Sequence, residues 1–342
     1  MRVQAFYFRY KFIWMKIIVP LLAIMVILLS SCGDSSLTRT LPNVSGSSGE
    51  LLVVTDRALW EGRTGELIRE ALAPDLRGLP QPEPAFSLIH VTHAGFANIF
   101  LVHRNVVFIG TDPEITEAGL TVTRNQWAES QIVLRLTARD TAELSNAIRR
   151  FAPELRERIN EAERVRLTSW LRESAGKEKE EVISGSNRLE ILLPAGYKKD
   201  FNRDSILMIS AETPMTTQSV IVSYGTPAMD RIGCIDLANM TEKITSAEVR
   251  GPDGGSFMVI EKKVPAVCRS FTRDNTQYIE MRGLWTLEGG FMGGPFISYA
   301  WIDTVALKTV VVTGFVYAPK SDKRELLRQV EALMYSVRRA SD

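Results

Sequence analysis

The chain has 342 residues, 41 basic against 40 acidic, with hydrophobic side chains at 45%. Its first 31 residues carry four basic side chains and no acid, so 41 less 4 leaves 37 basic against 40 acidic, a net charge of −3 for residues 32–342. That balance argues against nucleic acid or anionic lipid as the main partner, and the length at ordinary apolar content suffices for a good core in two domains.

The run Ile17–Leu29 is apolar throughout and ends in Leu29-Ser30-Ser31-Cys32. It is too short to span a bilayer comfortably but fits the apolar region of a signal peptide, with Lys16 as its positive flank. The last four residues resemble the lipobox of bacterial lipoproteins. That resemblance implies cleavage before Cys32 and acyl chains, palmitate among them, on its thiol. Two or three such chains make a stable anchor. A plain secretory signal and a buried helix are the alternatives. Residues 1–14 are crowded with aromatics, and a start at Met15 would give a complete signal by itself. Residues 1–31 are therefore read as signal peptide. Residues 32–50, rich in Ser, Gly, Thr and Asn without periodicity, are read as a lipidated flexible tether.

From residue 51 to 176 the pattern predicts an N-terminal domain with a small sheet and packed helices. Leu51–Thr55 reads as a strand and Thr64–Ala73 as a helix. The loop Gly78–Pro84 holds three prolines, which no helix or central strand tolerates. Phe86–Thr92 and Asn105–Gly110 read as strands around a short helical stretch at Ala94–Leu101, and Gln131–Thr137 as another strand. A long helix follows over Thr141–Glu173, with Leu144, Ile148, Phe151, Leu155, Ile159, Ala162, Val165 and Trp170 on one face. Pro153 is expected to kink it or to start a second helix. Its dense charges read as a solvated face. Gly176 and the run Lys177–Glu181 mark the expected boundary.

Residues 186–342 are expected to form a C-terminal, mostly antiparallel sheet with flanking helices, because the connections are short. Predicted strands are Arg188–Leu193, Ile206–Ala211, Ser219–Tyr224, Phe257–Val264, Gln277–Leu287, Phe296–Asp303 and Lys308–Tyr317. Predicted helices are Asp236–Val249 and Ser321–Arg338. The fold class is α+β.

Cys234 and Cys268 are the other two cysteines. In an oxidising envelope they read as one disulfide, with two buried thiols as the alternative. In Gly289-Gly-Phe-Met-Gly-Gly-Pro295, four glycines permit a bulged hairpin. Phe291 and Met292 are expected to tuck into the core, or else to project as an apolar contact for a partner. His90, His93 and His103 lie in one stretch, but no ligand spacing surrounds them, so no metal and no cofactor are expected. Glu61 and Glu83 are the carboxylate pair a glycosidase reading would use, though a chain with 40 acids offers many such pairs. Neither a Gly-x-Ser-x-Gly elbow nor a phosphate-cradling loop is present.

Leu59-Trp-Glu-Gly62, Gly78–Pro84, Arg282-Gly-Leu-Trp285, Phe291–Phe296 and Tyr317-Ala-Pro-Lys320 together resemble an uncharacterised lipoprotein family of the Bacteroidetes, domain of unknown function 4837. The second half also resembles the PsbP-like fold in its Leu-Pro-Ala-Gly-Tyr197 opening, its long sheet and its final strand before a C-terminal helix. These resemblances imply an envelope lipoprotein and a binding or assembly module, and supply no catalytic residue. The resulting expectation is a non-enzymatic binding module, lipid-anchored in the cell envelope at the outer membrane and facing the periplasm. An envelope protein or glycan would be its partner. The alternative is an envelope hydrolase with a site at the domain junction.

Overall fold

The structure, a computed structural model, describes residues 40–184, 187–203, 205–227 and 230–340; Cys32 and the expected signal peptide lie outside them. Pro42–Asp342 form one compact unit. The fold is α+β.

The first half is built from β1 (Glu50–Val54), α1 (Arg57–Glu61), α2 (Arg63–Leu72), β2 (Ser87–Val91), β3 (Asn105–Thr111), β4 (Gly119–Arg124) and β5 (Ile132–Ala138), then α3 (Thr141–Ala175). Its sheet runs β2-β1-β3-β5-β4. The β1–β2, β1–β3 and β3–β5 pairs are parallel, and only β4 joins antiparallel. Parallel strands need cover on both faces, which explains their continuous Leu, Val and Ile runs. One face packs on α2 and α3 through Ile68, Leu72, Leu144, Ile148 and Leu155. The other is covered by the half-buried aromatics Phe96, Phe100, Phe108 and Trp127.

Helix α3 runs unbroken through Pro153, against the expectation of a second helix there. Pro153 lies on the exposed side, as does Arg149, whose carbonyl loses its usual donor and can turn to water. The apolar stripe also departs from the sequence reading beyond Ala162. Val165 and Trp170 are about half exposed, at 52% and 53%, while Leu171 and Ala175 are buried. The reason is a change of partner. Leu144 to Ala162 belong to the core of the first sheet, and Leu171 and Ala175 to the core of the second.

The second half comprises β6 (Lys179–Ser184), β7 (Asn187–Leu192), β8 (Lys198–Arg203), β9 (Ile206–Glu212), β10 (Thr217–Pro227), α4 (Cys234–Glu248), β11 (Phe257–Ile260) and β12 (Val267–Arg273). It continues with β13 (Thr276–Glu288), β14 (Gly293–Asp303), β15 (Lys308–Tyr317), α5 (Arg324–Met334) and β16 (Arg338–Arg339). Eight strands form an antiparallel sheet in the order β11-β13-β14-β15-β10-β9-β8, with β12 also paired to β13. Alternation sorts its side chains cleanly. Val220, Val222, Val310 and Val312 enter the core under α5, whereas Ile221, Val311 and Phe315 enter the core under α4. Helix α5 approaches β15 over Gly314, where a Cβ would lie 2.3 Å from Cγ1 of Val330.

The Lys-Glu run expected to mark the boundary is the start of β6, held by Lys179 to Glu190 and Lys199 to Glu180, both at 3.1 Å. Residues 42–50, which composition alone assigns to a tether, run along the first sheet. The Ser45 N–H donates to the Val102 carbonyl at 2.8 Å, and the Gly49 N–H to the Glu163 carboxylate at 3.3 Å. Composition misleads here because the partners are backbone groups and a distant carboxylate, which leave no periodicity in the segment itself.

The glycine hairpin overturns the core expectation for Phe291, whose side chain is fully exposed at 108%. Met292 is half-buried against the core under α4. Leu287 and Met292 close the turn by a backbone hydrogen bond of 3.0 Å, so Phe291 sits at its apex, outside the alternation that sends Trp285 and Leu287 inward.

Candidate functional site

Where the two halves meet, a cleft of about 270 Å³ opens between α3, α5, β12–β13 and the loop after α2. Helical spacing assembles two of its walls. Glu157, Asn160, Arg164 and Leu167 recur every three or four residues along α3, and on α5 Arg324 and Arg328, like Leu327 and Glu331, stand four residues apart. Arg77 and Leu79 come from the loop after α2, and Val267, Arg269 and Arg282 from the strands.

Six arginines line this cleft against three glutamates, Glu157, Glu163 and Glu331. Most carboxylates in and behind the lining are already engaged. Glu163, almost fully buried, accepts from Arg104 at 2.7 Å, from Asn105 Nδ2 at 2.6 Å and from Arg166 at 3.1 Å. Burial alone would raise its pKa, but Arg166 and Arg104 outweigh burial and hold it below the usual carboxylate value. Glu280, behind the strand wall, accepts from Arg269 Nε at 2.9 Å and Arg282 Nε at 2.7 Å. Its burial also opposes ionisation, yet Arg282 and Arg269 prevail and lower its pKa to about 2. Glu331 pairs with Arg282 from the helix side. Glu325 takes both Arg324 at 2.7 Å and Arg328 at 2.8 Å.

The guanidiniums are less evenly satisfied. Arg77 is exposed and has no partner among the described residues. Arg164 lies 3.8 Å from Glu157 and 5.1 Å over the ring of Tyr335, and makes no hydrogen bond with a described residue. Arg269 and Arg282 use Nε and Nη2 on Glu280 and Glu331, which leaves each Nη1 without a protein acceptor among the described residues. Arg328 is 11% exposed, and its burial lowers its pKa because the charged form is incompletely compensated.

The residues singled out in the sequence lie elsewhere. Glu61 is exposed and paired with Arg57 at 2.9 Å. Glu83 caps α5, its carboxylate accepting from the N–H groups of Lys323 and Arg324. His90 stacks on Trp60 at 4.6 Å, and His93 faces Phe108 at 6.1 Å. His103 is buried, its Nδ1 3.1 Å from the Asn105 carbonyl, and that burial pushes its pKa down. No group of three or more His, Cys, Asp or Glu that could hold a metal occurs among the described residues. Cys234 and Cys268 are disulfide-bonded, with Cα atoms 6.1 Å apart. Cys268 lies on β12 between the cleft residues Val267 and Arg269. Sequence reasoning missed the cleft because its arginines are dispersed over some 250 positions. The signal that was available is the i, i+4 pair Arg324 and Arg328.

Residues 176–336 match the family model for the domain of unknown function DUF4837, and residues 44–172 match that for DUF8532, also a domain of unknown function. The DUF4837 match covers just under half of the 342 residues and contains the motifs Arg282-Gly-Leu-Trp285, Phe291–Phe296 and Tyr317–Lys320, whereas Leu59–Gly62 and Gly78–Pro84 fall in the DUF8532 match. No curated protein matches the sequence. Two solved structures are similar over 47% of this chain and 95% of their own, each at 12% identity: the Saccharomyces cerevisiae Ran-binding protein Mog1p, TM-score 0.30, and a point mutant of the protein Mog1, TM-score 0.29. Likeness at that level carries no argument about function.

Proposed function

We propose that this protein is a cell-envelope lipoprotein, cleaved before Cys32 and acylated there. It is held at the outer membrane facing the periplasm and acts as a non-enzymatic binding module through the junction cleft. The observation that carries the binding reading is the chemistry of the lining, which offers guanidiniums without acceptors and carboxylates that are mostly spoken for. General acid–base or nucleophilic work needs a free carboxylate, imidazole, thiol or activated hydroxyl within reach of a substrate. The lining holds no histidine, cysteine, serine or tyrosine among the described residues, and Glu61 and Glu83 are not part of it. These features favour binding over the hydrolase alternative. An envelope protein or glycan is the expected partner.

The test has two arms. Cys32→Ala should abolish palmitate labelling and release the protein from membranes; identical labelling and fractionation would end the lipoprotein reading. Affinity capture from native membranes should recover the same partner with wild type and lose it with the double variant Arg77→Glu, Arg164→Glu. Undiminished recovery would mean that the cleft is not the binding surface.

A further inference from the structure

The cleft combines a local charge with a shape that limits what it takes. Counting the groups paired with its lining, eight guanidiniums (Arg77, Arg104, Arg164, Arg166, Arg269, Arg282, Arg324 and Arg328) meet five carboxylates (Glu157, Glu163, Glu280, Glu325 and Glu331). This excess of three sits in a chain whose residues 32–342 are net negative. Surplus cations in a partly desolvated cleft are costly to keep unless something anionic neutralises them. Those with spare N–H groups come from three directions: the loop after α2, helix α3 and the paired strands β12–β13. Guanidinium forks match the oxygens of phosphate and carboxylate. A phosphate monoester brings close to two charges and three strong acceptor oxygens, whereas a carboxylate brings one charge and two oxygens. Leu79 and Leu167 add a half-buried apolar surface beside them. At about 270 Å³ the space lies at the small end for ligand sites.

Resting on the binding reading above, we propose that the cleft binds a small organic phosphate monoester, its dianion held by Arg77, Arg164, Arg269 and Arg282 and its apolar body set against Leu79 and Leu167. The ester is bound and not cleaved in this proposal: Glu163 and Glu331 are held by arginines, and Glu157, the remaining lining carboxylate, is exposed and 3.8 Å from Arg164.

Calorimetric titration of the full chain in a non-ionic detergent, at low salt and neutral pH, tests this with phenyl phosphate, inorganic phosphate and benzoate. Phenyl phosphate should bind best. Inorganic phosphate, without the ring, and benzoate, with the smaller charge, should each bind at least about tenfold more weakly. Arg77→Ala and Arg164→Ala should each weaken phenyl phosphate by about tenfold, the loss of one charge-assisted contact, with thermal melts close to wild type. Arg149→Ala, an exposed arginine outside the cleft, should change nothing. The proposal falls if phenyl phosphate does not bind, if the cleft variants bind as wild type does, or if Arg149→Ala weakens binding equally. It also falls if only vesicles containing phosphatidic acid bind, because the source would then be a lipid surface. Release of phenol would overturn the non-enzymatic reading while leaving the anion site in place. Partner capture that persists without phenyl phosphate binding would remove the phosphate inference alone.

Discussion

Glu83 closes the N-terminus of a helix that begins 241 positions later at Arg324. Its carboxylate oxygens accept the Lys323 N–H at 2.9 Å and the Arg324 N–H at 2.8 Å. Helix starts leave N–H groups without partners, and a negative charge there also meets the positive end of the helix dipole. The proline-rich loop thus fastens the first half to the second, next to the cleft. Lys323 tightens the same joint, its Nζ donating to Gln81 Oε1 at 2.6 Å. Glu83→Ala should therefore lower stability by about 2 kcal/mol, as loss of a buried cap does, and Glu83→Gln should cost less because one acceptor remains. Urea midpoints measure this; a change under about half a kcal/mol for the alanine variant would show that the cap is dispensable.

The cap marks where reading from the sequence stops. Strands such as β3, β10 and β15 are legible because their Val and Ile content announces a pleated, buried surface. The edge strands β4, β8 and β12 are not, because their side chains are mostly exposed and include charged and polar residues, as in Lys198-Lys-Asp-Phe-Asn-Arg203. Only pairing with a neighbour makes them strands. The sequence pattern extends the last helix over Ser321–Arg338, but it spans Arg324–Met334, since its start is set by Glu83 and its end by the pairing of Arg338 and Arg339 with β7. The cleft is illegible for the same reason. Its net charge is a local excess created by folding, and the whole-chain balance averages it away.

Acid should probe the ion pairs behind the cleft. Glu280 is held at about 2 instead of 4.5, so its carboxylate is stabilised by folding. A depressed carboxyl adds stability in full above the unfolded value, and loses it as pH falls through the folded one. The contribution is about 3 kcal/mol, with Glu163 acting in the same direction. Stability should decline between pH 4.5 and 2, and Glu280→Gln should flatten that part of the profile. An unchanged slope in the variant would place the acid sensitivity elsewhere.

The disulfide joins the first turn of α4 to β12, an edge strand whose partner among the described residues is β13. Closing a loop of 34 residues restricts the unfolded chain by about 4 kcal/mol on loop-closure entropy. The protein unfolded under alkylating conditions should show no thiol from Cys234 or Cys268 until reductant is added, and reduction should lower the urea midpoint accordingly. Because Val267 and Arg269 flank Cys268 in the cleft wall, reduction should also weaken phenyl phosphate binding. Ready alkylation without reductant would leave two thiols in place of the bridge.

One hairpin offers two aromatics with opposite fates. Trp285 is 3% exposed, packs edge-on to Phe315 at 5.7 Å and donates its indole N–H to the Val316 carbonyl at 3.2 Å. Phe291, at the tip, touches water on all sides. Trp285→Ala should cost about 3–5 kcal/mol, as truncating a buried aromatic does. Phe291→Ala should stay within about half a kcal/mol, because no packed neighbour is lost. Nothing in folding requires an aromatic at that apex, since Gly289 at a φ of +75° and the Leu287–Met292 hydrogen bond already make the turn. Exposed aromatics often anchor interfaces, so partner capture by Phe291→Ala should fall while its thermal melt overlays wild type. A melt lowered as far as that of Trp285→Ala would mean that the side chain packs inward in solution, and the tip would lose its claim as a contact.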